Sequence, residues 1–443
     1  MINRIVYLSI LLLLCTVNHL SAQVIAPGTY HTGVILPGGT VKVWGGNAYG
    51  QLGQGNTTVL GDEAGEMGGN LPTVDLGTGR TATAIASGSY HNVVILDNGT
   101  VKCWGYNFDG QLGQATWPYV GDGAGEMGDN LPAVDLGTGR TAVAIAGGSY
   151  NTSAILDNGT VKVWGDNAYG QLGQGHTNDI GRDSVEMGDN LSAVDLGDGR
   201  TATAISQGMY HTAVILDNGT VKVWGRNQYG QLGQGHTNDI GDEADEMGDN
   251  LSAVDLGDGR TATAIACAGF NTAVILDNGT VKVWGRNQYG QLGQGNTSDI
   301  GDGAGEMGDN LPAVDLGTGR TAIAIACGYF HTAVLLDNGN VKVWGHNNYG
   351  QLGQGNTSTL GNSANEMGDN LPAVDLGTGR TATSIECGLY HTAVTLDNGT
   401  VKAWGRNQYG QLGQGNTDNM GDNENEMGDN LSVVDLSGGS DVV

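Results

Sequence analysis

Five histidines occupy one register of this chain: His31, His91, His211, His331 and His391, spaced by multiples of sixty residues. Imidazoles arranged round a ring could ligate a transition metal or serve as general bases. The same register also holds Asn151 and Asn271. Asparagine can reproduce a histidine's structural hydrogen bonds, but it is neither a base nor a good transition-metal ligand. The five are therefore read as structural. Of the cysteines, Cys103 stands apart, and Cys267, Cys327 and Cys387 share a register with Pro27, Ser87, Gly147 and Gln207. Equivalent positions on neighbouring units of a ring exceed the ~7 Å Cα limit for a disulfide, so the thiols read as small buried side chains. Oxygen-rich loops are a third candidate. In one of them Asp239, Asp242, Glu243 and Asp245 could offer ligands to Ca²⁺. No Asp-x-Asp-x-Asp-Gly frame accompanies them, and a solvated acidic rim is the simpler reading. The Gly-Gln-Leu-Gly-Gln-Gly runs lack the strand, helix and Lys-Ser/Thr of a phosphate cradle. With no Gly-x-Ser-x-Gly, His-Glu-x-x-His or Cys-x-x-Cys either, the chain reads as non-enzymatic and without a cofactor.

What must position these residues is a repeat. Trp44 returns as Trp104, Trp164, Trp224, Trp284, Trp344 and Trp404, always sixty residues on. The frame divides the chain into 24–83, 84–143, 144–203, 204–263, 264–323, 324–383 and 384–443. In the fourth copy 201–206, 211–216, 220–224 and 251–256 each have strand character. Asp217-Asn-Gly219 predicts a tight type I′ hairpin, and a long Gly- and acid-rich loop precedes the last strand. Four short strands repeated seven times predict an all-β, seven-bladed β-propeller of four-stranded antiparallel blades. Val443 precedes Val24 in the frame as Thr83 precedes Ala84, so the mature termini are expected to meet and close the ring. The seven tryptophans are read as wedges buried between blades. The lysine two residues before each, such as Lys102, is expected to meet a carboxylate at a blade edge.

Charge narrows the partners. The 46 acidic residues outnumber 18 basic ones, for a formal net of −28. Such a surface repels nucleic acid and anionic membrane, which both require Lys and Arg. Residues 1–22 differ from the rest. Arg4 precedes a mostly apolar run from Ile5 to Val17, with small Ser21-Ala22 before Gln23, and the segment reads as a secretory signal peptide. The expected location is secreted or at the cell surface, as a monomer without membrane insertion.

The segments Cys327-Gly-Tyr-Phe-His-Thr-Ala-Val-Leu-Leu336 and Trp344-Gly-His-Asn-Asn-Tyr-Gly-Gln-Leu-Gly353 resemble the repeats of the regulator of chromosome condensation family, a seven-bladed propeller. The resemblance runs over essentially all of 24–443. It implies the propeller fold and a regulatory or protein-binding role. Guanine-nucleotide exchange in the family uses a wedge protruding from the propeller, and no repeat here carries an insertion. Ultraviolet sensing in the family uses tryptophans at positions that here are Thr29, Ser89, Ser149, Met209, Gly269, Tyr329 and Leu389.

On a repeated scaffold, function is expected where copies differ. In the second repeat Tyr106, Phe108, Trp117 and Tyr119 replace small or polar residues, and Gln114-Ala-Thr-Trp-Pro-Tyr119 has no counterpart elsewhere. Aromatic clusters of this kind suit binding hot spots. The leading expectation is an exported, non-enzymatic propeller that binds a protein or surface glycan through its loop face. The alternative is a guanine-nucleotide exchange factor or GTPase-associated regulator; a third is a divalent-cation-dependent adhesin.

Overall fold

Each repeat folds from a buried hairpin. A computed structural model describes residues 23–115 and 118–438. In the fourth repeat the strands are Ala202–Gln207, His211–Leu216 and Val221–Gly225, with the middle strand wholly buried. Its register sets His211 against Gly225 and Thr212 against Trp224. The hairpin turn differs from the expected type I′. Only Gly219 takes a positive φ, +78°. The Gly219 N–H donates to the Leu216 carbonyl at 2.9 Å and the Leu216 N–H to the Thr220 carbonyl at 2.8 Å. This is a type I turn closed by a glycine bulge, which leaves Asn218 in ordinary backbone space.

The described chain is all-β, with seven antiparallel sheets and short 3-10 turns. Six sheets have three strands, not the expected four, and one has four. The segment read as the fourth strand, 251–256, lies outside the ladder. It buries Leu251, Val254 and Leu256 but makes a single backbone bond to the third strand, from the Val254 N–H to the Val221 carbonyl at 2.8 Å. Its buried positions are spaced three and then two residues apart, which breaks the period of two that a ladder strand keeps. Proline at 72, 132, 312 and 372 of the equivalent segments removes a ladder donor there. The outer edge is instead touched by one bridge, Gly225 to Ile240. Only the second repeat extends this bridge into a strand, Tyr119–Val120, pairing Tyr106 and Gly105.

One joint, made seven times, holds neighbouring sheets together. The carbonyl of Gln111 accepts from the Trp164 Nε1–H at 3.0 Å and from the Thr152 hydroxyl at 2.8 Å, both in the next repeat. That hydroxyl has spent its proton, so it accepts from His91 Nε2, 2.9 Å away. The imidazole is therefore the Nε2–H tautomer, with Nδ1 buried and bare. The pattern passes from the seventh repeat to the first. Trp44 and Thr32 donate to the Gln411 carbonyl, and His391 lies 3.1 Å from Thr32. All seven tryptophans of the repeat register are fully buried. Glycine completes the joint, because a Cβ on Gly328 would overlap the His331 ring.

The lysines depart from expectation. Lys102 Nζ donates to the carbonyls of Leu76 and Gly128, at 2.9 and 2.7 Å, and not to a carboxylate. These two carbonyls belong to adjacent repeats, so the ammonium ties two outer segments together. Asp129 and Asp75 act on it only through space. The segment 1–22 and the terminal residues 439–443, on which the signal and terminus-meeting expectations rest, lie outside the described residues. Among the described residues no helix is long and apolar enough to cross a membrane.

Burial lowers the histidines from their usual 6.5, His31 and His211 to about 4 and His91, His331 and His391 to about 3. The folded ring stays neutral where the unfolded chain has already taken protons. Stability is therefore full above pH 6.5 and falls as the pH drops toward the folded values. For His211 the loss is on the order of 3 kcal/mol. Calorimetric melting between pH 7.5 and 4.5 should show a shallower pH dependence in His211→Asn than in the parent; equal slopes would contradict the account. Asn151 supplies the converse test. Neither of its amide atoms has a partner, and a buried polar atom left so costs about 1–3 kcal/mol. Asn151→His can reach the Thr212 hydroxyl and should raise stability by about 1 kcal/mol at neutral pH, read from urea denaturation.

Candidate functional site, an aromatic face around the axis

The residue before each member of the histidine register is aromatic in all seven copies: Tyr30, Tyr90, Tyr150, Tyr210, Phe270, Phe330 and Tyr390. These side chains lie at the turn between first and second strands. They form an inner ring on the face opposite the Asp-Asn-Gly hairpins. A second series, Tyr49, Tyr169, Tyr229, Tyr289, Tyr349 and Tyr409, comes from the loop after each third strand. Each outer tyrosine meets the inner aromatic of the next repeat edge-on, with ring centroids from 5.0 Å for Tyr289–Phe330 to 5.4 Å for Tyr349–Tyr390. Such contacts contribute about 0.5–1.5 kcal/mol each beyond burial. The second repeat has Asp109 in the outer series, and there Tyr106 covers Tyr150 at 5.8 Å.

The position after Trp-Gly is where the copies diverge on this face: Gly46, Tyr106, Asp166, Arg226, Arg286, His346 and Arg406. Arg226 lies over Tyr169 at 4.5 Å, Arg286 over Tyr229 at 4.7 Å and Arg406 over Tyr349 at 5.0 Å. The other cations are committed elsewhere. The seven lysines are buried. Six arginines pair with hairpin aspartates on the opposite face, as Arg80 does with Asp97 at 3.2 Å. Arg182 bridges Asp109 and Asp179, and Arg4 falls outside the described residues. Arg226, Arg286 and Arg406 are the described cations without a carboxylate in bonding range. The adjoining sector is acidic. Burial, with Asp179 and Asp109 adding their charge, raises Asp166 to about 6. The face is thus one aromatic ring with an arginine sector and a carboxylate sector.

The second-repeat aromatics belong to this face. Tyr106 packs tilted on Phe108 at 5.2 Å and Tyr119 meets Phe108 edge-on at 5.5 Å, and Tyr49 touches both Tyr106 and Tyr119 at 5.2 Å. Trp117 lies outside the described residues. Of the acidic loop residues, Asp239 and Asp245 line one open cavity together with His236 and Glu246. Asp239 accepts from the Asn227 N–H at 2.7 Å, and Glu246 caps the N–H groups of Gly241 and Glu243. Among the described residues no group of three or more His, Cys, Asp or Glu could hold a metal ion. The four cysteines among the described residues are free thiols, and burial raises Cys267 to about 12. Sequence reasoning singled out the second-repeat cluster and overlooked the ring around it. The signal was present: one register aromatic in every copy, beside a variable one.

The comparisons place this geometry among known proteins. The Regulator of chromosome condensation (RCC1) repeat models match residues 39–95, 278–335, 338–395 and 398–442, and in a second form six segments from 82–111 to 382–411. The Ultraviolet-B receptor UVR8 of Arabidopsis thaliana is 28% identical over 393 residues, covering 88% of this chain and 78% of that protein. The X-linked retinitis pigmentosa GTPase regulator homolog of Caenorhabditis elegans is 29% identical over 318 residues, 65% of this chain but 21% of that protein. Yeast RCC1 (Prp20), solved bound to Kap60, matches with a TM-score of 0.64 at 18% identity, over 91% of this chain and 84% of that one. The repeat models and the propeller neighbours agree with the seven sheets, and the chain belongs to the Regulator of chromosome condensation (RCC1) repeat family.

Proposed function

We propose that this chain is a non-enzymatic propeller that binds a protein partner through its aromatic face, with the second-repeat cluster and the arginine sector as anchors. The observation that carries the reading is the distribution of cations. In a chain of net charge −28, the three described arginines with no carboxylate in bonding range donate only to Gln228, Gln288 and Gln408, and all stand over tyrosines on one face. Aromatic rings flanked by arginine are the side chains enriched at binding hot spots. Family membership supports a protein-binding regulator. The solved yeast relatives are described with Kap60 and with Gsp1p and histones.

Export completes the reading. The segment 1–22 acts as the signal, the mature chain works outside the cell or at its surface, and a surface glycan is the other partner class. The ring is closed by the meeting of the mature termini. Thr395, in the seventh sheet, donates to the Gln23 carbonyl at 3.3 Å, which supports that closure. A GTPase-associated regulator is the second reading, favoured by the name of the nematode relative.

Affinity capture with the purified chain, followed by titration of the captured partner, tests the face. Tyr106→Ala with Tyr119→Ala, and separately Arg286→Glu, should each weaken binding at least tenfold. Arg260→Ala on the hairpin face should leave it unchanged. Equal affinity in all variants would overturn the assignment. Accelerated nucleotide release from a small GTPase, with the chain retained inside the cell, would favour the second reading.

A further inference from the structure

Three thiols stand in one register on successive inner strands: Cys267 in Ala262–Ala268, Cys327 in Ala322–Cys327 and Cys387 in Ala382–Cys387. Each of these strands packs against the next, and all three cysteines border an axial cavity of about 100 Å³. Neighbouring copies lie closer there than the repeat pattern suggested. In the same register a Cβ on Gly147 would fall 2.9 Å from the Ser87 carbonyl carbon. With ordinary bond lengths at each end, those two Cα atoms are at most about 6 Å apart, inside the ~7 Å limit for a disulfide. The expectation that a ring keeps equivalent cysteines out of bonding range fails because the inner strands converge on the axis.

Side chains of this register lean on the preceding repeat. Ser87 Oγ donates to the Ala26 carbonyl at 2.8 Å. Cys327 Sγ lies 3.8 Å from the Ala266 carbonyl oxygen, one peptide bond from Cys267, and 3.6 Å from Asn271 Nδ2. Two residues beyond Cys327 and Cys387, the Tyr329 N–H donates to the Leu389 carbonyl at 3.0 Å, which holds the sixth and seventh repeats together. Cys327 therefore has a cysteine beside it on either hand. Cys267 and Cys327 are buried, whereas Cys387 is partly exposed and is the first to meet a reagent.

We propose that Cys327 is a site of reversible oxidation, closing a disulfide to a neighbouring inner strand, first to Cys387. The oxidant is a small soluble disulfide such as oxidised glutathione. The Cys387 thiolate attacks it, forming a mixed disulfide and releasing one glutathione thiolate. The Cys327 thiolate then attacks Cys387 Sγ, the protein disulfide forms and the second glutathione leaves. Each protein thiol gives its proton to a departing thiolate, and the two electrons reduce the oxidant to two thiols. Cys267 can afterwards attack Cys327 Sγ and displace Cys387, so the bridge moves one repeat round the axis with Cys327 still in it. Burial raises all three thiols, which keeps thiolate scarce and the exchange slow at neutral pH. The bridge fastens adjacent blades beneath the aromatic ring and is independent of any partner bound there.

The test is disulfide mapping of the purified full chain, reduced, freed of reductant and incubated with oxidised glutathione at pH 8.5. Alkylation in denaturant and digestion with trypsin follow; cleavage after Arg260, Lys282, Arg320, Lys342, Arg380 and Lys402 leaves the three cysteines in separate peptides. The parent should lose two thiols to a bridge joining the Cys327 peptide to that of Cys387 or Cys267, and dithiothreitol should restore both. Cys327→Ser installs the residue that Ser87 supplies in this register, and Cys103→Ala the one that Ala403 supplies in its own, so both variants keep the fold. Cys103→Ala should oxidise as the parent does, and Cys327→Ser should form no disulfide within the chain. Thiols that all stay free in the parent, a bridge that leaves out Cys327, or a bridge between two chains would overturn the proposal.

Discussion

A single carbonyl oxygen per repeat holds this molecule in shape. The glutamine of each Gln-Leu-Gly accepts two hydrogen bonds from the following repeat, one from an indole and one from a hydroxyl or amide. Both lone pairs are used, and both donors lie in the core, where an unmet partner would cost most. The histidine, the glycine that stacks on it and the tryptophan follow from that joint. It also explains why three-stranded sheets suffice. Adjacent sheets are tied by buried side chains near the axis and by lysine-to-carbonyl bonds further out, so a complete fourth ladder adds little.

The joint divides the surface into two unlike faces. On the hairpin side, arginine–aspartate pairs such as Arg80–Asp97 are exposed, and exposed pairs of this kind contribute at most about 1 kcal/mol. On the other side the turn beside each histidine sends an aromatic ring outward, and in six of the seven repeats the loop after the tryptophan lays a tyrosine across the next one. Because the scaffold repeats, single-copy changes on that face are tolerated without disturbing the joint. Arg226, Asp166 and Tyr106 occupy one register in three different repeats.

The propeller was legible because sixty-residue spacing, hairpin glycines and buried tryptophans are all local signals. The turn type was misjudged because Asn-Gly suits two hairpin geometries, and the chain uses the one with a single positive φ. The fourth strand was misjudged because a short apolar segment bounded by turns, with Leu251, Val254 and Leu256 buried, reads the same with or without a ladder. The site was half legible. Variation was sought in the second repeat, which found Tyr106, Phe108 and Tyr119 but passed over Arg226, Arg286 and Arg406 in the register of Tyr106. The aromatic ring was hidden in plain repetition: a residue present in every copy reads as scaffold until the fold shows that it faces outward.

The central claim is that the aromatic face, and not the hairpin face, meets the partner. Hydroxyl-radical footprinting of the chain, free and partner-bound, measures this residue by residue. The account predicts protection of Tyr49, Tyr106, Tyr119 and the tyrosines beneath Arg226 and Arg286, with the hairpins around Asp97 and Asp277 unchanged. Protection confined to those hairpins, with the tyrosines as reactive as in the free chain, would contradict it.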